Sequence, residues 1–385
     1  MNNTPYYFYD LHLLDRTLDE IERTSGINYK IHYAVKANNN KRILSQISSR
    51  GFGADCVSAT EIQWALNAGF EASEIVFAGV GKTDEEIEFA LTHRIGMLNC
   101  ESLEEIQAVN DIAGRLGIVA RIALRLNPNI SARTHEKIST GLTENKFGLT
   151  SVEYTELAEL YPTLANIQIV GLHFHIGSQI LHLEVFEHLC QRINALVPEF
   201  EQFFGALEYL NVGGGLGIDY ERPEENPIPD FERYFEIFRS NLDVPADFPV
   251  HFELGRAIVA QCGTLRAKVL YVKRGETKNF AVLDAGMTEL LRPAMYGAKH
   301  AIVNLTGTAE NRERGVYDIV GPICESSDTF ATDAYLPQMR RGDIIEIRSC
   351  GAYVESMSLN YNGRGAIRSV QSQKVQTTLR VLKTA

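Results

Sequence analysis

No two of the six cysteines (Cys56, Cys100, Cys190, Cys262, Cys324, Cys350) form a CxxC pair or any other paired spacing. That absence excludes a disulfide framework and a structural zinc site, and it suits reduced thiols in the cytoplasm. The opening MNNTPYYFYD has neither a basic nor an apolar leader segment, so no signal peptide is expected. No apolar run reaches membrane-spanning length, and the stretch from Ile118 to Leu126 is broken by Arg121 and Arg125. Positive charge is in deficit, with 37 Lys and Arg against 49 Asp and Glu. The net charge of -12 argues against nucleic acid or an anionic membrane surface as the main partner. A locally basic pocket for a small anion remains compatible with it. Internal repeats and low-complexity stretches are also missing. What is present is a chain of 385 residues, 45% hydrophobic and 22% charged, long enough for two domains with a large buried core.

β-Branched and aromatic runs alternate with helix-period segments through the first two thirds. The runs that read as strands are KIHYAVKAN, GFGADCVS, EIVFAG, IGMLNC, VARIALRL, IVGLHFHIGS, LEYLNVGGG and VHFELG. The helical stretches TEIQWALNAGF, TDEEIEFALTHR and SLEEIQAVNDIAGRLG each open on Thr or Ser with a carboxylate in the first turn, the chemistry of a helix N-cap. An open doubly wound sheet has the same alternation, but eight strand–helix units between Ile31 and Gly255 favour a (β/α)8 TIM barrel. After Gly263 the pattern changes to strands without long helices. These are TLRAKVLYVKRG, KNFAVLDAG, GVYDIVGP, GDIIEIRSCGAY and TTLRVLK, with turn signals at Arg274-Gly275 and Arg341-Gly342-Asp343. The expected α/β architecture is a barrel over residues 26–262 and an antiparallel β domain, sandwich- or barrel-like, over 263–385. The second domain also takes in residues 1–25 through the strand YYFYD.

In such a barrel the active site lies at the C-terminal ends of the strands. That rule selects Lys36, Asp55, His173 or His175, the Gly213-Gly214-Gly215 run, Glu253 and Arg256, each at or just past the end of an apolar run. Lys36 is either an ordinary solvated lysine or an amine made nucleophilic by partial burial that lowers its pKa. The glycines follow EYLNV, where backbone N–H groups can approach a phosphate, with Ser178 as a second contact. No Gly-Lys-Ser/Thr of a Walker loop follows. Glu253 sits among apolar neighbours and needs a partner, either a base such as Arg256 or the protonated nitrogen of a pyridine ring. His173 and His175 alternate along a strand and so share one face. The pair allows a metal-dependent hydrolase, but that needs further ligands, and His251 lies at the wrong end of its strand to be one. It equally allows His175 stacked on an aromatic cofactor, with His173 packed in the core.

Taken in order, YAVKAN at Lys36, ADCVSATEI at Asp55, ISTGLTENKFG, HFHIGSQ at His173, GGGLGIDY, ELGR at Glu253, DAGM, RPAMYGAKH, CESSD at Cys324 and GAY at Gly351 span nearly the whole chain. The ordered set resembles the alanine-racemase-type barrel decarboxylases that use pyridoxal 5'-phosphate. The resemblance implies that Lys36 carries the cofactor covalently, that His175 stacks on its ring and that Glu253 pairs with the pyridine nitrogen. It implies a phosphate site made by Ser178, Gly214, Gly215, Gly255, Arg256 and Tyr353, with Asp55 near the cofactor. Cys324 becomes the acid that returns a proton to the α-carbon, offered by the partner subunit of a homodimer whose active sites are shared across the interface.

Within that family, a substrate with an amino-acid head at each end needs a cation for its distal carboxylate and an anion for its distal ammonium. Arg256 and Arg292 suit the first through bidentate guanidinium geometry, and Glu325 suits the second. Tyr296 and Tyr353 can add hydrogen bonds. In the ornithine-specific members Asp follows the cysteine, whereas here Glu-Ser follows Cys324. The expected reaction is therefore loss of CO2 from meso-2,6-diaminopimelate to give L-lysine, the last step of lysine biosynthesis. Decarboxylation of ornithine, lysine or a carboxylated polyamine is the alternative, followed by a binding protein with a degenerate site. Two positions depart from the family pattern. Leu254 stands where proline is usual, and GRGAIRSV follows Tyr361-Asn362 where a proline-containing segment is usual.

Overall fold

A computed structural model of the chain describes residues 3–128, 146–364 and 366–372. After a first strand, β1 (Tyr6–Tyr9), eight parallel strands close into a barrel. They are β2 (Tyr29–Ala34), β3 (Gly53–Cys56), β4 (Ile75–Phe77), β5 (Met97–Cys100), β6 (Ala120–Arg125), β7 (Ile167–His173), β8 (Tyr209–Asn211) and β9 (Val250–Leu254). Each pairs with the next in sequence and β9 returns to β2, so the alternation read from the sequence closes on itself. The helix Ala59–Ala68 is capped by Ser58, whose side chain accepts from Glu61 N, and not by Thr60. Ser58 has the extended backbone of a cap residue, whereas Thr60 is already one residue inside the helix. Thr83 and Ser102 cap the next two helices as expected.

A second sheet follows, built from β10 (Gly263–Arg274), β11 (Asn279–Leu283), β12 (Ile302–Asn304), β13 (Arg314–Val320), β14 (Thr329–Pro337), β15 (Ile344–Ile347) and β16 (Ser369–Gln371). Its order is β12-β15-β10-β11-β13-β14, and β1 joins it antiparallel to β10. The antiparallel expectation holds for most pairings but not for β11 with β13 or β1 with β16, which are parallel. Between β11 and β13 the chain makes two short helices and β12, a connection long enough to bring it back in the same direction. β12, β14 and β16 are additions to the strands expected. The middle of β14 is largely exposed, so it carries little hydrophobic pattern to read. TTLRVLK lies outside the described residues. The helix Leu11–Ser25 leans on the barrel helix Phe231–Asn241, where Arg239 Nη1 donates to Thr24 O at 2.8 Å.

Most of the apolar core lies outside the barrel wall, under the helices. Inside the barrel sits a separate small group of Val76, Met97, Ala123, Val170 and Tyr209. Two residues further along their strands, Met97 and Tyr209 give way on the same inward face to Asn99 and Asn211, both fully buried. The barrel thus changes from apolar to polar as it approaches the C-terminal ends of its strands. Among the described residues no helix is long and apolar enough to cross a membrane.

Candidate active site

Lys36 lies on a single 3-10 turn, Val35–Ala37, immediately after β2, and its ammonium pairs with Asp55 Oδ2 on β3. Asp55 is fully buried, and its Oδ1 has no hydrogen-bond partner among the described residues. Burial opposes the charge on Lys36, but Asp55, Tyr353 and Glu253 more than offset it, and the ammonium pKa is raised. This reverses the expected lowering, because the nearest group is a carboxylate. Burial, followed by repulsion from Glu253, raises the Asp55 pKa against the opposing pull of Lys36.

Glu253 faces the barrel interior from β9. Its Oε1 accepts from Asn211 Nδ2 at 2.9 Å and Asn99 Nδ2 at 3.3 Å, while His173 Nε2 lies 3.2 Å from Oε2. The base beside Glu253 is therefore His173 and not Arg256. Burial works against its ionisation, yet the His173 imidazole and Lys36 hold the carboxyl well below the usual carboxylate range. β7 ends at His173, and the backbone beyond it no longer alternates as a strand. Both histidines line one cavity, but their partners differ. His175 lies against the glycine loop, where Gly214 N donates to its Nδ1 at 3.3 Å. Burial and Arg125 push the His175 pKa down to about 3. Among the described residues no group of three His, Cys, Asp or Glu is placed to hold a metal ion.

A small compartment of about 30 Å³ opens beside Lys36 and is lined by Ser178, Gly215, Gly255, Arg256 and Tyr353. Arg256 Nη2 donates to Ser178 Oγ at 2.9 Å, and its guanidinium carbon lies 4.8 Å from the Tyr353 ring centroid. Gly215 has φ +108°, and a Cβ there would stand 2.6 Å from Gly177 O. Gly214 directs its N–H to His175, so Gly215 is the glycine of the run that faces this cup.

The larger cavity, about 390 Å³, joins Lys36, His173, His175 and Glu253 of the barrel to Arg292, Tyr296 and Tyr353 from the residues that follow it. Arg292 is buried, and among the described residues no carboxylate pairs with it or with Arg256. Cys324 and Glu325 are exposed on the loop between β13 and β14 and do not line this cavity. Within one chain they do not meet Lys36. His173 as the partner of Glu253, Asn99, Asn211, Tyr220 and Arg125 escaped the sequence reading. Asn99, Asn211 and Arg125 each end a strand-like run, so the same strand-end rule could have found them.

A half-buried amine, a carboxylate held ionised in the barrel floor, a neutral imidazole and a cationic cup lined by glycine suit pyridoxal phosphate group by group. The orphaned Asp55 Oδ1 adds an unanswered buried acceptor at the amine end. Fold and site together define a pyridoxal-phosphate-dependent decarboxylase of the barrel type. Residues 12–260 match the family model described as "Pyridoxal-dependent decarboxylase, pyridoxal binding domain". The chain is 48% identical over 363 residues to the diaminopimelate decarboxylase of Bacteroides thetaiotaomicron, covering 94% of this chain and 93% of that one. It is 40% identical over 377 residues to that of Vibrio cholerae, covering 98% and 89%. The crystal structure of diaminopimelate decarboxylase from Helicobacter pylori complexed with L-lysine superimposes with a TM-score of 0.90 at 42% identity, covering 97% of this chain and 92% of that one. The chain belongs to the diaminopimelate decarboxylase family.

Proposed function

We propose that this chain removes one carboxyl group from meso-2,6-diaminopimelate, giving L-lysine and CO2, with pyridoxal 5'-phosphate as cofactor. The observation that carries the substrate is Arg292, a buried guanidinium on the cavity wall with no carboxylate partner among the described residues. A buried cation of that kind calls for an anionic ligand. Ornithine, lysine and polyamine precursors have no second carboxylate to offer it.

When bound, the cofactor supplies an electron-withdrawing ring that accepts the electron pair released as CO2 departs. Lys36 offers the amine for the cofactor's aldehyde carbon, and Asp55 orients that amine. Glu253, fixed by Asn99, Asn211 and His173, holds a proton at the pyridine nitrogen. His175, neutral at physiological pH, packs on the ring. Ser178, Gly215, Gly255, Arg256 and Tyr353 make the phosphate site, with Gly214 bonded to His175 beside it. Arg292 and Tyr296, with Arg256 and Tyr353, orient the distal head of the substrate.

Cys324 and Glu325 complete the site from a second copy of the chain in a homodimer, Cys324 giving a proton to the α-carbon and Glu325 meeting the distal ammonium. Their exposure outside the cavity supports this. Six unpaired cysteines support a cytoplasmic location. We also place the domain division at residues 26–262 against 1–25 with 263–385.

The test is CO2 release from a panel of diamino acids by wild type and Arg292→Ala. Loss of Arg292 should weaken use of diaminopimelate by about 2–5 kcal/mol, as for one member of a buried charge pair. Wild-type preference for a diamino acid with no distal carboxylate would overturn the assignment.

A further inference from the structure

Arg292 Nη1 donates to His300 Nε2 at 2.8 Å, and His300 Nδ1 lies 2.8 Å from Arg348 O. A guanidinium only donates and a carbonyl only accepts, so His300 carries its proton on Nδ1 and presents a lone pair from Nε2. It is neutral, since burial and the adjacent Arg292 push its pKa down to about 3. Tyr220 closes the other side. Its ring centroid lies 4.5 Å from the Arg292 guanidinium carbon and meets the His300 ring edge-on at 4.9 Å. Its hydroxyl accepts from Arg256 Nη1 at 2.6 Å, and its carbonyl accepts from Ala301 N at 3.2 Å. Those bonds tie the loop after the glycine run to the segment that carries His300.

Arg292, His300 and Tyr220 are all buried, at 5%, 8% and 8% exposure. Neither group that fixes the guanidinium is an anion. A carboxylate in either place would orient Arg292 equally well but would cancel the charge that a substrate anion needs. We propose that Tyr220 and His300 are positioning residues for substrate specificity, forming a neutral cradle that aims Arg292 at the second carboxylate of the substrate without neutralising it. This rests on the reading of Arg292 given above. The carboxylate concerned belongs to the head of diaminopimelate that survives in the product, so the same cradle should govern binding of L-lysine.

Glutamine and glutamate are nearly equal in volume, so His300→Gln and His300→Glu separate charge from shape. Steady-state constants of the holoenzyme with diaminopimelate, and inhibition constants for L-lysine and 1,5-diaminopentane, are measured for both. Tyr220→Phe, Tyr220→Leu and Arg292→Ala complete the set. His300→Gln should leave KM within about threefold of wild type, whereas His300→Glu should raise it about tenfold or more with kcat within about threefold. Tyr220→Leu should raise KM well above Tyr220→Phe, which keeps the ring and loses only the hydroxyl bonded to Arg256. L-lysine inhibition should weaken in parallel, and inhibition by 1,5-diaminopentane, which has no carboxylate, should not. If His300→Glu matches His300→Gln, the cradle is refuted. Should His300→Glu fail to fold, Tyr220→Leu indistinguishable from Tyr220→Phe refutes it instead. An unchanged KM in Arg292→Ala removes the reading of Arg292 itself, and the cradle with it.

Discussion

Lys36 and Asp55 are bonded across the first two strands of the barrel, the ammonium facing the cavity and the carboxylate wholly enclosed behind it. Asp55 is the strongest of the groups that raise the lysine pKa. Asp55→Asn should therefore lower it, because burial would then act with less opposition. Reductive methylation of the cofactor-free protein, followed at Lys36 by mass spectrometry across a pH series, should show the amine becoming reactive at lower pH in the variant. An unshifted profile would contradict the pairing.

Four enclosed histidines link stability to pH, and in one of them, His32, burial lowers the pKa beside His251. Burial, the largest cause in each case, pushes His175 and His300 down to about 3 and His251 to about 2. In the unfolded chain each titrates near 6.5, so the stability they contribute is full above that value and is lost as pH falls toward the folded values. Near pH 5 the unfolded chain holds about three more protons on His175, His251 and His300, a slope of about 4 kcal/mol per pH unit from those groups. Urea unfolding of the cofactor-free protein from about pH 7 to about pH 5 should show stability falling, and His175→Gln should make the fall shallower.

Gly215 is constrained twice, by its φ of +108° and by Gly177 O, which a Cβ would approach to 2.6 Å. Gly215→Ala should cost more than the roughly 1–3 kcal/mol of backbone strain alone and should weaken cofactor binding. Gly117 has φ +67° with open space where a Cβ would stand. Gly117→Ala should cost about 1 kcal/mol and leave cofactor binding intact. Thermal unfolding and cofactor titration of the two variants distinguish them.

Arg125 and Glu101 form a buried ion pair at 2.7 Å, and Glu101 also accepts from Gly79 N at 2.9 Å. Glu101→Ala leaves the arginine unpaired on the cavity wall and should destabilise the chain by about 3–5 kcal/mol. Denaturant titration reads this directly. A loss below about 1 kcal/mol would mean that solvent or another group satisfies Arg125.

The proposed sharing of active sites between two copies makes a prediction about mixtures. Lys36→Ala and Cys324→Ala should each be inactive alone, but together should recover about a quarter of wild-type activity. Half of randomly paired dimers are mixed, and one of the two sites in each carries both native residues. No recovery after subunit exchange is demonstrated would place Cys324 in its own chain's site or outside the chemistry.

What the linear chain determined by itself is whatever local chemistry controls. Strand-length apolar runs, helix caps and turn residues act over a few positions, so eight strand–helix units and the later change to β structure are legible without coordinates. Lys36, Asp55, Glu253 and Arg256 were legible too, since each ends a strand and strand ends face one mouth. Tertiary structure alone decided which of these groups touch. His173 and Glu253 are 80 residues apart, and only barrel closure brings them together, displacing Arg256 as the base beside that carboxylate. His175 takes a different partner from His173 because the strand stops between them, and β11 lies parallel to β13 because the connection is long. The neutral cradle around Arg292 joins the loop after β8 to the segments that follow the barrel. Such contacts depend on how distant segments pack, and the residues beside each one in sequence carry no trace of its partner.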